Sequence, residues 1–146
     1  MTLLIWTGAA AVGAAVTAFV GNRSLFALLG RRAAWLAVPW LEEAVKFTAA
    51  GMLDGRPLLG ISLLFGCAEL LYDLLASRMD GLYLGMLSLC THGVAGGVAT
   101  LLFDVSGGWR RAFVAAGLVH MAVNLVVVRL VLPALGAGGA RHGIQR

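Results

Sequence analysis

Five apolar runs, at residues 3–20, 33–53, 58–76, 82–103 and 112–132, take up most of this chain, and short polar or arginine-bearing turns separate them. A helix of roughly 20 apolar residues matches the hydrocarbon thickness of a bilayer. Only 12% of the 146 residues are charged and 60% are hydrophobic, with a mean hydropathy of +0.91. Soluble domains carry about 25% charged residues. The expected fold is therefore all-α, a polytopic transmembrane bundle of about five spans. Residues 1–135 form one membrane domain, and the Gly-rich stretch 136–146 reads as a flexible tail.

The first run has no positive segment before it and is long for a signal peptide, so it reads as a retained span. Its small residues Ala10, Ala14, Ala11 and Ala15 recur at four-residue spacing and permit close helix contact. Gly21-Asn22-Arg23 is expected to end it. The second run, 33–53, is the most polar, and Pro39 predicts a kink or a helix start. The competing reading is an interfacial helix anchored by Trp35 and Trp40. Asp54-Gly55-Arg56-Pro57 is a clear turn.

A formal charge of +4 could point to nucleic acid, but no basic stripe interleaved with aromatics is present. The arginines instead punctuate the apolar runs, as topology determinants do. Arg23, Arg31, Arg32, Arg78, Arg141 and Arg146 fall on one side of a five-span bundle, and Arg56, Arg110 and Arg111 on the other. The positive-inside rule predicts an N-terminus outside and a C-terminus in the cytoplasm. Cys67 and Cys90 lack CxxC spacing and are expected to be packing residues.

Four of the runs carry polar side chains well inside them: Glu42, Glu43 and Lys46, then Glu69, then His92, then His120 with Asn124. At 1.5 Å per residue these lie roughly 12–18 Å into their spans, near the midplane. An intramembrane charge costs about 2.5–3.5 kcal/mol on insertion scales, so such residues face a bundle interior and usually act there. Glu42 with Lys46 and His120 with Asn124 are i,i+4 pairs, each on one helix face. Lys46, also i+3 from Glu43, can neutralise one carboxylate and leave the other as a general base. His120 and Asn124 can both donate to a developing oxyanion. A base, a water and an oxyanion site make a hydrolase. Gly93, Gly96 and Gly97 leave room near His92 for a substrate or simply for a packed helix. Tyr72 and Asp73 are candidate partners of Glu69, although Asp73 fits the membrane surface near Arg78 better. His142, in the tail, is expected to be uninvolved.

In chain order these residues read EExxK at 42–46, FxxxE at 65–69, a lone His92 among glycines, and HxxxN at 120–124. The pattern, over roughly residues 39–128, resembles the PrsW family of intramembrane proteases, relatives of the CAAX prenyl endopeptidases. Leu70 follows Glu69 where that family often has asparagine. The resemblance implies hydrolysis of a peptide bond in a membrane-anchored protein, with an anti-sigma factor as the associated substrate type, in a bacterial or archaeal cytoplasmic membrane. It assigns Glu42 and Glu43 to the paired glutamates, one of which activates water. Glu69 and His92 fill the second and third motifs, and His120 and Asn124 steady the oxyanion. Glu69, His92 and His120 are also candidate ligands of a catalytic zinc, with a metal-free site the equal alternative. The competing classes are a non-catalytic membrane scaffold of the same superfamily and a small proton or ion carrier.

Overall fold

The computed structural model describes residues 2–55, 57–131 and 133, and among them the backbone is helical with no strand. Helix α1 spans Thr2–Leu29, α2 Ala33–Leu36, α3 Val38–Gly51, α4 Leu58–Ser106 and α5 Trp109–Val126, continued by a π-helical turn over Val127–Val131. Arg56 and the tail with Arg141, His142 and Arg146 lie outside the described residues. Four stretches are long and apolar enough to cross a membrane: Thr2–Leu29, Leu58–Ala76, Gly81–Ser106 and Trp109–Leu130.

Glycines in the left-handed region supply two of the breaks. Gly30 (φ 57°) follows α1, and Gly107 (φ 60°) caps α4 by donating its N–H to the Phe103 carbonyl. Such positive φ suits glycine because it has no Cβ to clash. Pro39 stands in the first turn of α3 and starts that helix, after the break at Ala37. The first helix, in contrast, does not stop at Gly21-Asn22-Arg23. It continues to Leu29, so these residues are helical and Asn22 is available to the bundle.

Helix α4 reverses on itself at 77–80 while keeping helical backbone, which makes two antiparallel arms, Leu58–Ala76 and Gly81–Ser106. Missing side chains let the arms meet closely. A Cβ on Gly66 would lie 2.9 Å from Leu89 Cα, one on Gly85 2.6 Å from Leu70 Cα, and one on Gly96 2.5 Å from Ser62 Cβ. Tight packing therefore accounts for Gly96, while nothing lies within 4 Å of a Cβ on Gly97.

Helix α1 runs parallel to the first arm of α4, with Phe19 against Tyr72 at 5.5 Å between ring centroids. Buried Thr7, Ala11, Ala14 and Ala18 form its inward stripe. Helix α3 lies antiparallel to α1 and to α5. Phe47 meets Trp109 and Phe113 edge to face, and Trp40 packs on Phe113 at 5.6 Å. Trp40 is thus half-buried against α5, and α3 packs among α1, α4 and α5 with most of its residues covered. Its buried residues include Glu42, Glu43 and Lys46.

The outer surface is apolar. Leu4, Val12, Val16, Val20, Leu75 and Leu101 are all more than half exposed. Charged groups inside and leucine outside invert the pattern of a soluble domain, and this is a membrane-embedded helical bundle. Cys67 and Cys90 are free and exposed, contrary to the expectation of buried packing. Each lies on the outer face of its arm of α4, where thiols are tolerated as small apolar groups.

Candidate active site

Short helix α3 carries the densest charge, and its neighbours are built around it. Glu43 accepts from Lys46 Nζ at 2.5 Å and from His120 Nδ1 at 2.9 Å, both at Oε1. All three side chains are essentially buried. Lys46 reaches His92 Nδ1 at 2.9 Å and stands 5.3 Å from the centroid of Phe65. The lysine is thus fully engaged in holding the cluster, as expected for a partner of the glutamates.

Glu42 is different. Its Oε1 accepts a hydrogen bond from Asn22 Nδ2 of α1 at 2.6 Å. Its Oε2 faces His120 Nε2 at 3.5 Å and His92 Nε2 at 3.9 Å. Neither distance is a direct hydrogen bond, and no lysine or arginine pairs with Glu42 among the described residues. The i,i+3 spacing of Glu43 and Lys46 thus separates two adjacent carboxylates into one neutralised by ammonium and one free of it.

The other motif residues converge on the same level. His92 Nε2 lies 2.8 Å from Glu69 Oε2, and Ser88 on the facing arm donates to the same oxygen. The rings of His92 and His120 meet edge to face at 4.7 Å, and His92 also packs on Phe65 at 4.8 Å. Asn124 donates to the Ala34 carbonyl at 3.1 Å. An amide nitrogen has two N–H groups, and among the described residues Asn124 gives one of them a partner while lining the chamber.

Two cavities meet here. A chamber of about 260 Å³ is lined by Asn22, Glu42, Glu69, Ser88, His120 and Asn124, among others. A larger groove of about 730 Å³ opens between α1 and the first arm of α4, walled by Val16, Phe19, Phe26, Phe65 and Ala68. Asn22, Phe26 and Glu69 line both. Tyr72 and Asp73 belong to the groove and make no hydrogen bond to the cluster among the described residues.

Glu42, His92 and His120 each present one ligand atom, all within 4.8 Å of one another. This donor set matches His₂Glu zinc chemistry, with Glu42 in the place that the sequence offered to Glu69. Hydrogen bonding at His92 argues against the fit. An ammonium only donates, so His92 Nδ1, 2.9 Å from Lys46 Nζ, must accept. The ring proton is then on Nε2 and is donated to Glu69. A metal on that nitrogen would need the opposite tautomer, with Nδ1–H pointing at an ammonium. The residues as arranged do not fit a zinc ligand set.

Sequence reasoning missed Asn22 and Ser88. Asn22 reads as part of a span end, and Ser88 as one of many small residues in an apolar run. A polar side chain roughly a turn before His92, facing the FxxxE helix, was the available signal for Ser88. Compared with protein-family models, curated proteins and solved structures, the chain gives no match.

Proposed function

We propose that this chain is a glutamate-dependent intramembrane peptidase of the PrsW type, cleaving a peptide bond in a membrane-anchored protein without a metal. The observation that carries the reading is the division between the adjacent glutamates. Glu43 is ion-paired and backs His120, whereas Glu42 turns Oε2 toward His120 and His92 and lines a small chamber with His120.

In this reading Glu42 takes a proton from a water held between it and the histidines. The water oxygen attacks the scissile carbonyl carbon, and the carbonyl oxygen gains the negative charge. Asn124 supplies an amide donor to the developing oxyanion, beside His120, which Glu43 holds in place through Nδ1. The C–N bond then breaks as the proton on Glu42 passes to the leaving amine. Lys46 and Glu69 fix His92, whose ring packs edge to face on that of His120. The apolar groove between α1 and α4 suits an extended segment arriving from the bilayer.

The test is cleavage of a panel of single-span substrates by reconstituted protein, with Glu42→Gln and Glu43→Gln as variants. Glu42→Gln should lower the rate by roughly 10²–10⁴-fold, the usual worth of a general base. Glu43→Gln should lower it less, and a chelator should leave the wild-type rate unchanged. Cleavage that survives Glu42→Gln would remove the assigned base. Loss on chelation with recovery by zinc would replace the metal-free mechanism. No cleavage of any substrate would favour a scaffold.

A further inference from the structure

We propose that Asn22, on the helix outside the motif-bearing region, is the positioning residue that aims Glu42; the inference rests on the peptidase reading. Glu42 accepts one hydrogen bond among the described residues, from Asn22 Nδ2 at 2.6 Å, and that bond is to Oε1. Pinning Oε1 leaves Oε2 directed at His120 and His92. A glutamate has three rotatable side-chain bonds, and among the described residues this contact is the hydrogen bond that selects among its rotamers. The donor is a neutral amide, so it fixes direction without neutralising the carboxylate, as Lys46 does for Glu43.

Two further features point the same way. Gly21 lies directly against Leu41, where a Cβ would stand 2.5 Å from Leu41 Cδ2, so α1 approaches α3 closely at the level where Asn22 meets Glu42. Asn22 Oδ1 is buried with no hydrogen-bond partner among the described residues. A buried unpaired acceptor costs stability, and an apolar residue would fill a lipid-level helix contact without that cost. The donor half of the amide is used and the acceptor half is left unmatched, as expected of a residue kept for what its N–H does to Glu42. Asn22 also lines both the groove and the chamber, so an arriving segment meets the base where it is held.

The experiment compares wild type, Asn22→Leu and Asn22→Gln in the reconstituted cleavage assay. Unfolding in detergent is followed in parallel for Asn22→Leu, Glu42→Leu and the double variant. Misplacing a catalytic group by about 1 Å costs on the order of 10²-fold. Asn22→Leu should therefore lower kcat roughly 10–100-fold with KM within about twofold. Asn22→Gln, which keeps an amide donor, should recover most of that loss, and the unfolding cycle should be non-additive. An unchanged kcat in Asn22→Leu, or a change in KM alone, overturns the proposal. Should the leucine variant fail to fold, a glutamine variant as impaired as Glu42→Gln overturns it equally. Absence of cleavage by wild type together with a non-additive cycle would mean that the hydrogen bond exists but aims no base, which is failure of the peptidase reading. An additive cycle with active wild type would instead be failure of the Asn22 assignment alone.

Discussion

Lys46 shows how one residue organises the site. Its ammonium is fully buried and spends itself on Glu43, His92 and the face of Phe65. Removing one member of a buried ion pair leaves the other charge uncompensated, at about 3–5 kcal/mol. Lys46→Met should destabilise the bundle by about that amount in detergent unfolding, and adding Glu43→Gln should return most of it. A single variant as stable as wild type would mean that the pair does not hold the cluster. At this scale the sequence was partly legible. The spacing of Glu43 and Lys46 announced the pair, and the depth of His92 and His120 announced their convergence. Which glutamate stays free was not legible, because neighbouring residues on a helix differ by about 100° in direction and only the packing of α1 and α5 tells which faces which. Asn22 was hidden for the same reason, since its partner is twenty residues away on another helix.

Among the elements, the α4 hairpin does most to place the chemistry. Its arms meet through Gly66, Gly85 and Gly96, and Gly96 lies one turn beyond His92 on the same helix face. A side chain at 96 would push the arm away from Ser62 and carry His92 with it. Gly96→Leu should cost about 1–3 kcal/mol through overpacking and depress cleavage more than stability. Gly97→Ala, with nothing within 4 Å of its Cβ, should be near neutral in both measurements. Equal effects at the two positions would show that the glycines matter for something other than arm contact. The element boundaries in the sequence were good where glycine or a charged turn met the end of an apolar run, as at 76–81 and 104–109. They failed at Gly21-Asn22-Arg23, because a helix need not stop at the first polar residue when an arginine can extend its head toward water. The run at 33–53 was read as one span. It is α2 and α3 joined at Ala37, and its charge is tolerated because the surrounding helices shield it from lipid.

At the scale of the whole molecule, alternating passes gather one set of helix ends together. The end of α1, the start of α2, the bend of α4 and the end of α5 share one side, and the Asp54-Gly55 turn and the Gly107-Gly108 turn share the other. The backbone positions of Arg23, Arg32 and Arg129 belong to the first side, whereas Arg110 and Arg111 belong to the second. Arginine near a span end is held on the cytoplasmic side, and the orientation this rule leads one to expect, with the first side cytoplasmic and the N-terminus of α1 outside, is a matter for experiment. The site lies between the two ends, since His120 is roughly 16 Å from the Trp109 end of its helix. Under the proposed peptidase function a substrate would have to bring its scissile bond to that depth, where Asn22 and Glu69 line both the groove and the chamber. Reporter fusions in a bacterial membrane test the orientation directly. A fusion that is active only outside the membrane should work when joined before Thr2 and fail when inserted at the 77–80 bend, with the opposite result for a reporter active only in the cytoplasm. Reversing the arginine bias, by Arg32→Gln and Arg129→Gln with lysines added at the Asp54-Gly55 turn, should weaken or invert that pattern. A wild-type pattern already inverted would mean that the arginines do not set the orientation, and that the cavity is offered to substrates anchored from the opposite side.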